Sequence, residues 1–286
     1  MRTDFFLGRI FQILIVAVAL VLPSALLAAE GADRDYEPLR LRVLSYNIHH
    51  GEGIDGKLDL PRIAKAIKAV EPDLVVLQEV DKGTQRTNRV DQPAELARQL
   101  DIRVVFGGNI SFQGGDYGNA VLSRFPVSRS KNHLLPRFDD GEQRGALEVS
   151  VELPDGHGSL QIVATHLDHR ADDRERFASA KAINQLAANM TDRPAILAGD
   201  LNDLPNSRTL SELGKLWTPA NTKDMPTIPV GQPTRQIDFI LFRPTDRWQA
   251  VEVQVLDEAV ASDHRAILAV LELRPARATV VEQGEP

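Results

Sequence analysis

Acids and amides stand where the most apolar segments of this chain stop. In "PAILAGDLND" (194–203), Ala195, Ile196, Leu197 and Ala198 suit a covered strand, and Gly199, Asp200, Asn202 and Asp203 crowd its mouth. The pattern recurs. "VLSYNIHHG" places Asn47 after an apolar run, "LVVLQEVD" carries Glu79 within one, and "LQIVATHLDHR" brings a run to His166. "RQIDFILF" sets Asp238 between Ile237 and Phe239, and "ASDHRAIL" puts Asp263 and His264 just ahead of the last run. A carboxylate in apolar surroundings is costly unless it is paired, hydrogen-bonded or bound to a metal. Carboxylate and amide oxygens form a hard donor set that suits Mg²⁺ or Mn²⁺ and holds zinc poorly. Imidazole and carboxylate groups beside such an ion can hold or move a proton. Taken singly, each residue also has a plainer reading. Gly, Asp and Asn are ordinary turn residues, Glu79 could face solvent from an edge strand, and a lone His is commonly a packed or capping side chain.

The elements that would position these groups follow from periodicity. "LRLRVLSYNI" (39–48) alternates and then turns continuously apolar, as a strand does. "DLPRIAKAIKAVEP" offers Asp59 as N-cap, Pro61 early, Ile63, Ile67 and Val70 on one face, and Pro72 as a stop, so a helix follows. "DLVVLQEV" is a buried strand that closes a β-α-β unit. A second helix is expected around Ala94 to Leu100, then short strands near 103–106, 119–123, 145–153 and 159–165. "DDRERFASAKAINQLAANM" is amphipathic, with Phe177, Ala180, Ile183, Ala187 and Met190 on one side. A helix near 207–216 and strands near 237–242, 249–256 and 265–273 complete the series. Between Leu216 and Gln236, Pro219, Pro226, Pro229 and Pro233 mark a long loop, of a kind often functional or mobile. No internal repeat is visible. Mixed strands with interspersed helices fit two packed sheets, and equally one doubly wound sheet.

The 286 residues, 43% apolar, suit one large domain, expected over 38–275, with a disordered tail at 276–286. A formal charge of -7 supplies no positive field for a phosphate polymer, which weighs against a tight binder of duplex DNA without excluding a nuclease. The absence of cysteine removes disulfides, thiolate catalysis and Cys-type zinc sites together. At the N-terminus, Arg2 and Arg9 precede an apolar run from about Ile10 to Leu22, then Pro23 and small residues. This is the layout of a signal peptide over 1–29, cleaved near Ala28 or Ala29, and it implies export to the periplasm or medium. The run is short for a transmembrane span, which needs on the order of 20 residues. An uncleaved, membrane-anchored form is the alternative.

The order of the set, Asn47, Glu79, His166, Asp200 with Asn202, Asp238, then Asp263 with His264, resembles the endonuclease/exonuclease/phosphatase superfamily from roughly Leu41 to Leu273. "GDLND" is similar to its GD-x-N element and "SDH" to its closing element. "YGNAVLSRFPV" (117–127) resembles another segment, with Asn119 reaching the cleft. The resemblance implies a deoxyribonuclease-like α/β fold: a four-layer α/β-β/α sandwich of two packed mixed β-sheets flanked by helices, with the site where the strand ends meet. It also implies phosphoester hydrolysis with Mg²⁺ (or Mn²⁺). Asn47, Glu79 and Asp263 would then serve the metal. Asp200 would orient and deprotonate a water, Asn202 would donate to a phosphoryl oxygen, and His166 and His264 would meet the developing negative charge. Asp238 would bond His264 and fix its tautomer. Substrate contacts fall to Asn119, Arg144 and Asn202. Arg144, in "GEQRGALEV", is either a bidentate phosphate clamp or a surface arginine on a strand edge. Whether His264 is itself a base, and whether one or two metals act, the residues leave open.

"VDKGTQRTNRVDQPAELA", "THLDHRADDRERFASA" and "PTRQIDFIL" resemble a secreted bacterial subset similar to the C-terminal domain of eukaryotic proteins that remodel GPI-anchor lipid. That likeness favours a membrane-lipid headgroup or another small phosphoester, mono- or diester, over nucleic acid. Arg86, Arg89, Arg170 and Arg174 would ring the headgroup, or else form a solvated charged face with Asp91, Asp172 and Asp173. No basic stripe with interleaved aromatics is present, and aromatics are only 5% of residues, so a nucleic-acid track is disfavoured. His166 also argues against the AP-endonuclease branch, which resembles a tyrosine-containing motif there. The alternatives are a secreted nuclease for DNA or RNA and a non-catalytic lipid- or glycan-binding module. The second would be expected to have lost a member of the polar set, and none is missing. No obligate protein partner is evident.

Overall fold

The computed structural model describes residues 37–190 and 193–275. The expected signal segment and C-terminal tail lie outside the described residues. Alternation followed by an unbroken buried run makes strand β1 (Leu39–Asn47). Helix α1 (Leu60–Lys68) starts where the Asp59 side chain accepts the Arg62 N–H, with proline in the first turn, and it turns Ile63, Ala64 and Ile67 inward. Strand β2 (Leu74–Lys82) returns parallel to β1. Helix α2 (Gln92–Leu100) is capped by Asp91 and precedes β3 (Arg103–Phe112) and β4 (Gly115–Ser123). Strands β5 (Val127–Leu134), β6 (Gly145–Glu152) and β7 (Ser159–His166) follow as an antiparallel run. Helix α3 (Arg174–Ala188) then leads to β8 (Ala195–Asp200), parallel to β7. The chain ends through α4 (Arg208–Leu213), β9 (Thr218–Pro219), β10 (Asp238–Arg243), β11 (Trp248–Val255) and β12 (Ile267–Leu273).

The strands form two six-stranded sheets, ordered β11-β12-β1-β2-β4-β3 and β5-β6-β7-β8-β10-β9. In each sheet the two central strands are the parallel pair, joined by a helical crossover, and the flanking strands are antiparallel. Parallel neighbours cannot be joined by a hairpin, which is why α1 and α3 fall between these strands. The two sheets therefore repeat one plan that their side chains do not spell out.

Period-two alternation sorts the core. Val43 and Val76 face inward with Val149, Ile162, Ile196 and Ile240 of the opposite sheet, and their neighbours Leu44 and Val75 pack outward with Ile63, Ile67 and Leu96. On the far side, Val163, Leu197 and Leu241 pack with Ile183, Ala187 and Leu213. Helix, sheet, sheet, helix is the four-layer sandwich expected from the motifs, and the single doubly wound sheet is excluded.

Some expectations need correction. Strand β5 was not anticipated, because its residues are mostly polar and exposed, as an edge strand tolerates. Phe177 faces outward, half-buried between the Lys181 ammonium (4.3 Å) and the Arg208 guanidinium (4.6 Å). The proline-rich segment is pinned back: Ile228 bridges Arg235, and the Arg265 N–H donates to the Thr227 carbonyl at 3.0 Å. Among the described residues no helix is long and apolar enough to cross a membrane.

Candidate active site

The C-terminal ends of the two parallel pairs meet. The Asn47 amide, at the end of β1 and fully buried, donates to Glu79 Oε1 at 3.0 Å and to Asp200 Oδ2 at 3.1 Å. One side chain thus joins groups from both sheets. Antiparallel neighbours deliver the rest. Asp238 at the start of β10 pairs with Asp200. Arg144 lies just before β6, whose Ala146 pairs with Thr165, and so it reaches His166. The segment before β12 lies past the end of β1, where the Ser262 hydroxyl donates to the Asn47 carbonyl at 2.7 Å and accepts the His264 N–H.

Glu79 belongs to neither packed face. The β2–β4 register shifts between Leu77 and Val80, and Glu79 takes a left-handed conformation (φ 57°). A bulge of this sort re-aims one side chain, and here it turns a carboxylate out of an apolar strand into the cleft. Asp200 lies beyond Gly199, which pairs with Thr165, and a Cβ on that glycine would stand 1.8 Å from the Thr165 carbonyl oxygen. Gly199→Ala is therefore expected to cost about 3 kcal/mol of stability and to displace Asp200. Urea unfolding measures it; an unchanged midpoint would show that the strands part freely there.

Asp200 Oδ1 accepts the Asn202 N–H at 2.9 Å, so the turn reading of "GDLN" holds, while Oδ2 stays turned toward Asn47. Burial, and then the neighbouring Asp238 charge, hold the Asp200 carboxyl well above the usual carboxylate range. His166 Nδ1 lies 3.0 Å from an Arg144 guanidinium nitrogen. Arginine only donates, so Nδ1 accepts, while Nε2 lies 3.0 Å from the Asn202 amide nitrogen and 3.4 Å from Asp200 Oδ2. Burial and the Arg144 charge push His166 far below its ordinary value, and the ring is neutral. His264 behaves oppositely. Burial is the largest single influence and disfavours its charge, but Asp238, bonded to Nδ1 at 2.9 Å, and Asp200, 3.7 Å from Nε2, outweigh it and drive its pKa up.

Asp238 Oδ2 also accepts from the Thr227 hydroxyl, while Oδ1 is buried without a partner. Asp238→Asn removes the main counter-charge, so His264 should then lose its proton at neutral pH where the parent keeps it. Ring-nitrogen NMR shifts report this directly, and a His264 that titrates alike in both proteins would sink the assignment.

Other expected residues sit differently. Asp263 is exposed, with its hydrogen bond to adjacent Ser262, and is not bonded to Asn47 or Glu79. The Asn119 amide ties the sheets together by donating to the Gly145 carbonyl at 3.1 Å. Arg144 is no surface residue: it is buried against His166, His169 and Glu142. The four arginines expected around a headgroup each have a partner within the chain. Arg86 binds Asp81 through two nitrogens, Arg89 lies on loop carbonyls, Arg170 pairs with Asp168 and Glu175, and Arg174 pairs with Asp172 and Asp139. Sequence reasoning missed Ser262 and Thr227 as positioning groups. Ser262 was inside the quoted "SDH"; Thr227, in a proline-rich loop, carried no signal.

Glu79, Asn47 and Asp200 present oxygen donors from both sheets, and such a set fits a divalent cation. The two packed sheets with acid, amide and imidazole groups at their strand ends define a deoxyribonuclease-like α/β sandwich of the phosphoester-hydrolase type. The chain belongs to the Endonuclease/Exonuclease/phosphatase family, whose pattern matches residues 44–264. Members are hydrolases of phosphoester bonds and generally use a divalent metal. The protein YbhP of Escherichia coli (strain K12) is 26% identical over 248 residues, 81% of this chain and 96% of its own length. An endonuclease/exonuclease/phosphatase from Beutenbergia cavernae DSM 12333 superposes with a TM-score of 0.70 at 27% identity, over 83% of this chain and 72% of that one. A mannosyl-6-phosphatase from Bacteroides thetaiotaomicron VPI-5482 shares the fold at a TM-score of 0.68 and 18% identity, over 81% and 99% of the two chains.

Proposed function

We propose that the protein is an exported phosphoesterase, dependent on Mg²⁺ or Mn²⁺, that hydrolyses a lipid-derived or other small phosphoester. The observation that carries this reading is the Asn47 amide bonded at once to Glu79 and Asp200, which places an ion-binding carboxylate beside a base. Hydrolysis needs an activated water, neutralisation of charge on the phosphoryl oxygens, and help for the leaving oxygen. Asp200, with its raised pKa, is suited to orient the water and take its proton, because a base near the working pH transfers protons best. His264, whose proton Asp238 and Asp200 favour, is suited to meet developing negative charge as a cation, fixed by Asp238. The Asn202 amide, 3.0 Å from His166 Nε2, is the neutral donor beside it. A divalent ion held by Glu79 and Asn47 would supply Lewis-acid polarisation of the phosphoryl group.

Export rests on the N-terminal segment, and the preference for a small substrate rests on the charge of -7 and on arginines already committed to internal partners. The test is a screen of the protein, from about residue 30 onward, against chromogenic mono- and diesters, plasmid DNA, RNA, sphingomyelin and inositol phosphates. Hydrolysis of a small or lipid ester that stops in EDTA and returns with Mg²⁺ or Mn²⁺ is expected. Faster release of nucleotides would move the assignment to a secreted nuclease, and no turnover of any ester, or turnover indifferent to chelation, would overturn it.

A further inference from the structure

Directly after Asn47 the chain bends through His49 (φ 45°), His50 (φ 44°) and Gly51 (φ 78°). Two consecutive non-glycine residues in the left-handed region are uncommon, and each costs on the order of 1–3 kcal/mol. The bend sets the two rings edge to face, with centroids 4.5 Å apart. One nitrogen of each ring and one Glu79 carboxylate oxygen lie within 4.8 Å of one another.

Each ring has one nitrogen beside an oxygen of Glu52 and one without a partner. His49 Nδ1 faces the Glu52 carbonyl at 3.1 Å, which accepts a proton there and leaves the Nε2 lone pair free. His50 Nε2 lies 3.5 Å from the Glu52 carboxylate, while its Nδ1 is buried without a partner on a residue only 8% exposed. An imidazole anchored through one nitrogen by a carbonyl or carboxylate is the usual setting of a metal-ligating histidine. The inference rests on the proposed function only in that Glu79 is the carboxylate given the ion there; the two imidazoles make no contact with Asp200, His166 or His264.

We propose that His49, His50 and Glu79 form a mixed imidazole–carboxylate cation site that prefers a divalent transition-metal ion, Mn²⁺, Co²⁺ or Zn²⁺, over Mg²⁺. Mg²⁺ favours oxygen donors and retained waters, whereas imidazole suits the later metals. Two imidazoles and one carboxylate leave coordination positions open for water or a phosphoryl oxygen. The inference concerns which ion the protein binds and through which atoms, and it is read by binding alone, whether or not the site cleaves esters.

The experiment is titration of the chelator-stripped protein with Co²⁺, Zn²⁺ and Mg²⁺ by calorimetry, with the visible spectrum of bound Co²⁺ as a second readout. His49→Asn and His50→Asn keep a residue that tolerates positive φ, and His50→Gly guards against ligation by the new amide. Each is expected to weaken Co²⁺ by more than the roughly 10–100-fold that loss of a ligand-orienting partner costs, with an altered spectrum; His166→Gln is expected to change neither. X-ray absorption on zinc-loaded parent protein needs no variant and should count two imidazoles. Equal Co²⁺ affinity in parent and both variants, Mg²⁺ bound as tightly as Co²⁺, or a single imidazole lost only in His264→Gln would overturn the site, the last by moving the ion to the Asp200–Asp238–His264 group.

Discussion

Asp200→Asn is expected to lower kcat toward a chromogenic phosphodiester by about 10²–10⁴-fold, the usual contribution of a general base. The substitution is isosteric, and the new amide oxygen can still accept the Asn202 N–H, although its NH2 then faces the Asn47 amide donor. Stability separates the effect from misfolding. The Asp200 carboxyl has a higher pKa folded than unfolded, so the folded state binds more protons, and cation-free protein loses stability as pH rises through that raised value. The Asn variant has no charge to bury and should lose less over the same window. Urea midpoints in chelator on the acid and alkaline sides of neutrality give the comparison. Activity within about tenfold of the parent, or a pH slope unchanged by the substitution, would remove Asp200 from the role of base.

Glu79→Gln should produce the second large loss, about 10²–10³-fold in kcat, for a different reason. Its amide oxygen can still accept from Asn47, so without added ion the variant should match the parent within about 0.5 kcal/mol. An ion present at ~100 times its Kd stabilises the parent by about 2.7 kcal/mol, which is on the order of 5–10 °C in Tm for a domain of this size. Most of that shift should vanish in Glu79→Gln. A cation that raises Tm equally in both proteins binds elsewhere.

Much of this was legible because burial writes itself as apolar runs. β2, β7, β8 and β10 carry apolar runs, and Glu79, His166, Asp200 and Asp238 within or at the ends of those runs are the residues the structure brings to the cleft. The capped start of α1 was equally visible in Asp59 and the proline that follows. What stayed hidden depended on pairing. The bulge that frees Glu79 is a register shift against β4, and no local pattern encodes it. The partnership of Thr227 with Asp238 needs a loop folded back on itself. Arg144 could be read as a phosphate clamp or as an edge residue, and only the β6–β7 register shows that it ends on His166. The arginines of the expected ring were read by charge alone, and each is paired with an acid or a carbonyl of the chain.

Asn47 is the rivet between two slabs. Glu79 rides on one and Asp200 on the other, so the gap between ion and base is set by how the slabs sit, face on face, through side chains such as Val43, Val76, Ile196 and Ile240. A methylene trimmed from that interior, far from any reacting atom, would let the halves shear by a fraction of an ångström. Turnover would then fade under mild heating or dilute denaturant well before the chain comes apart.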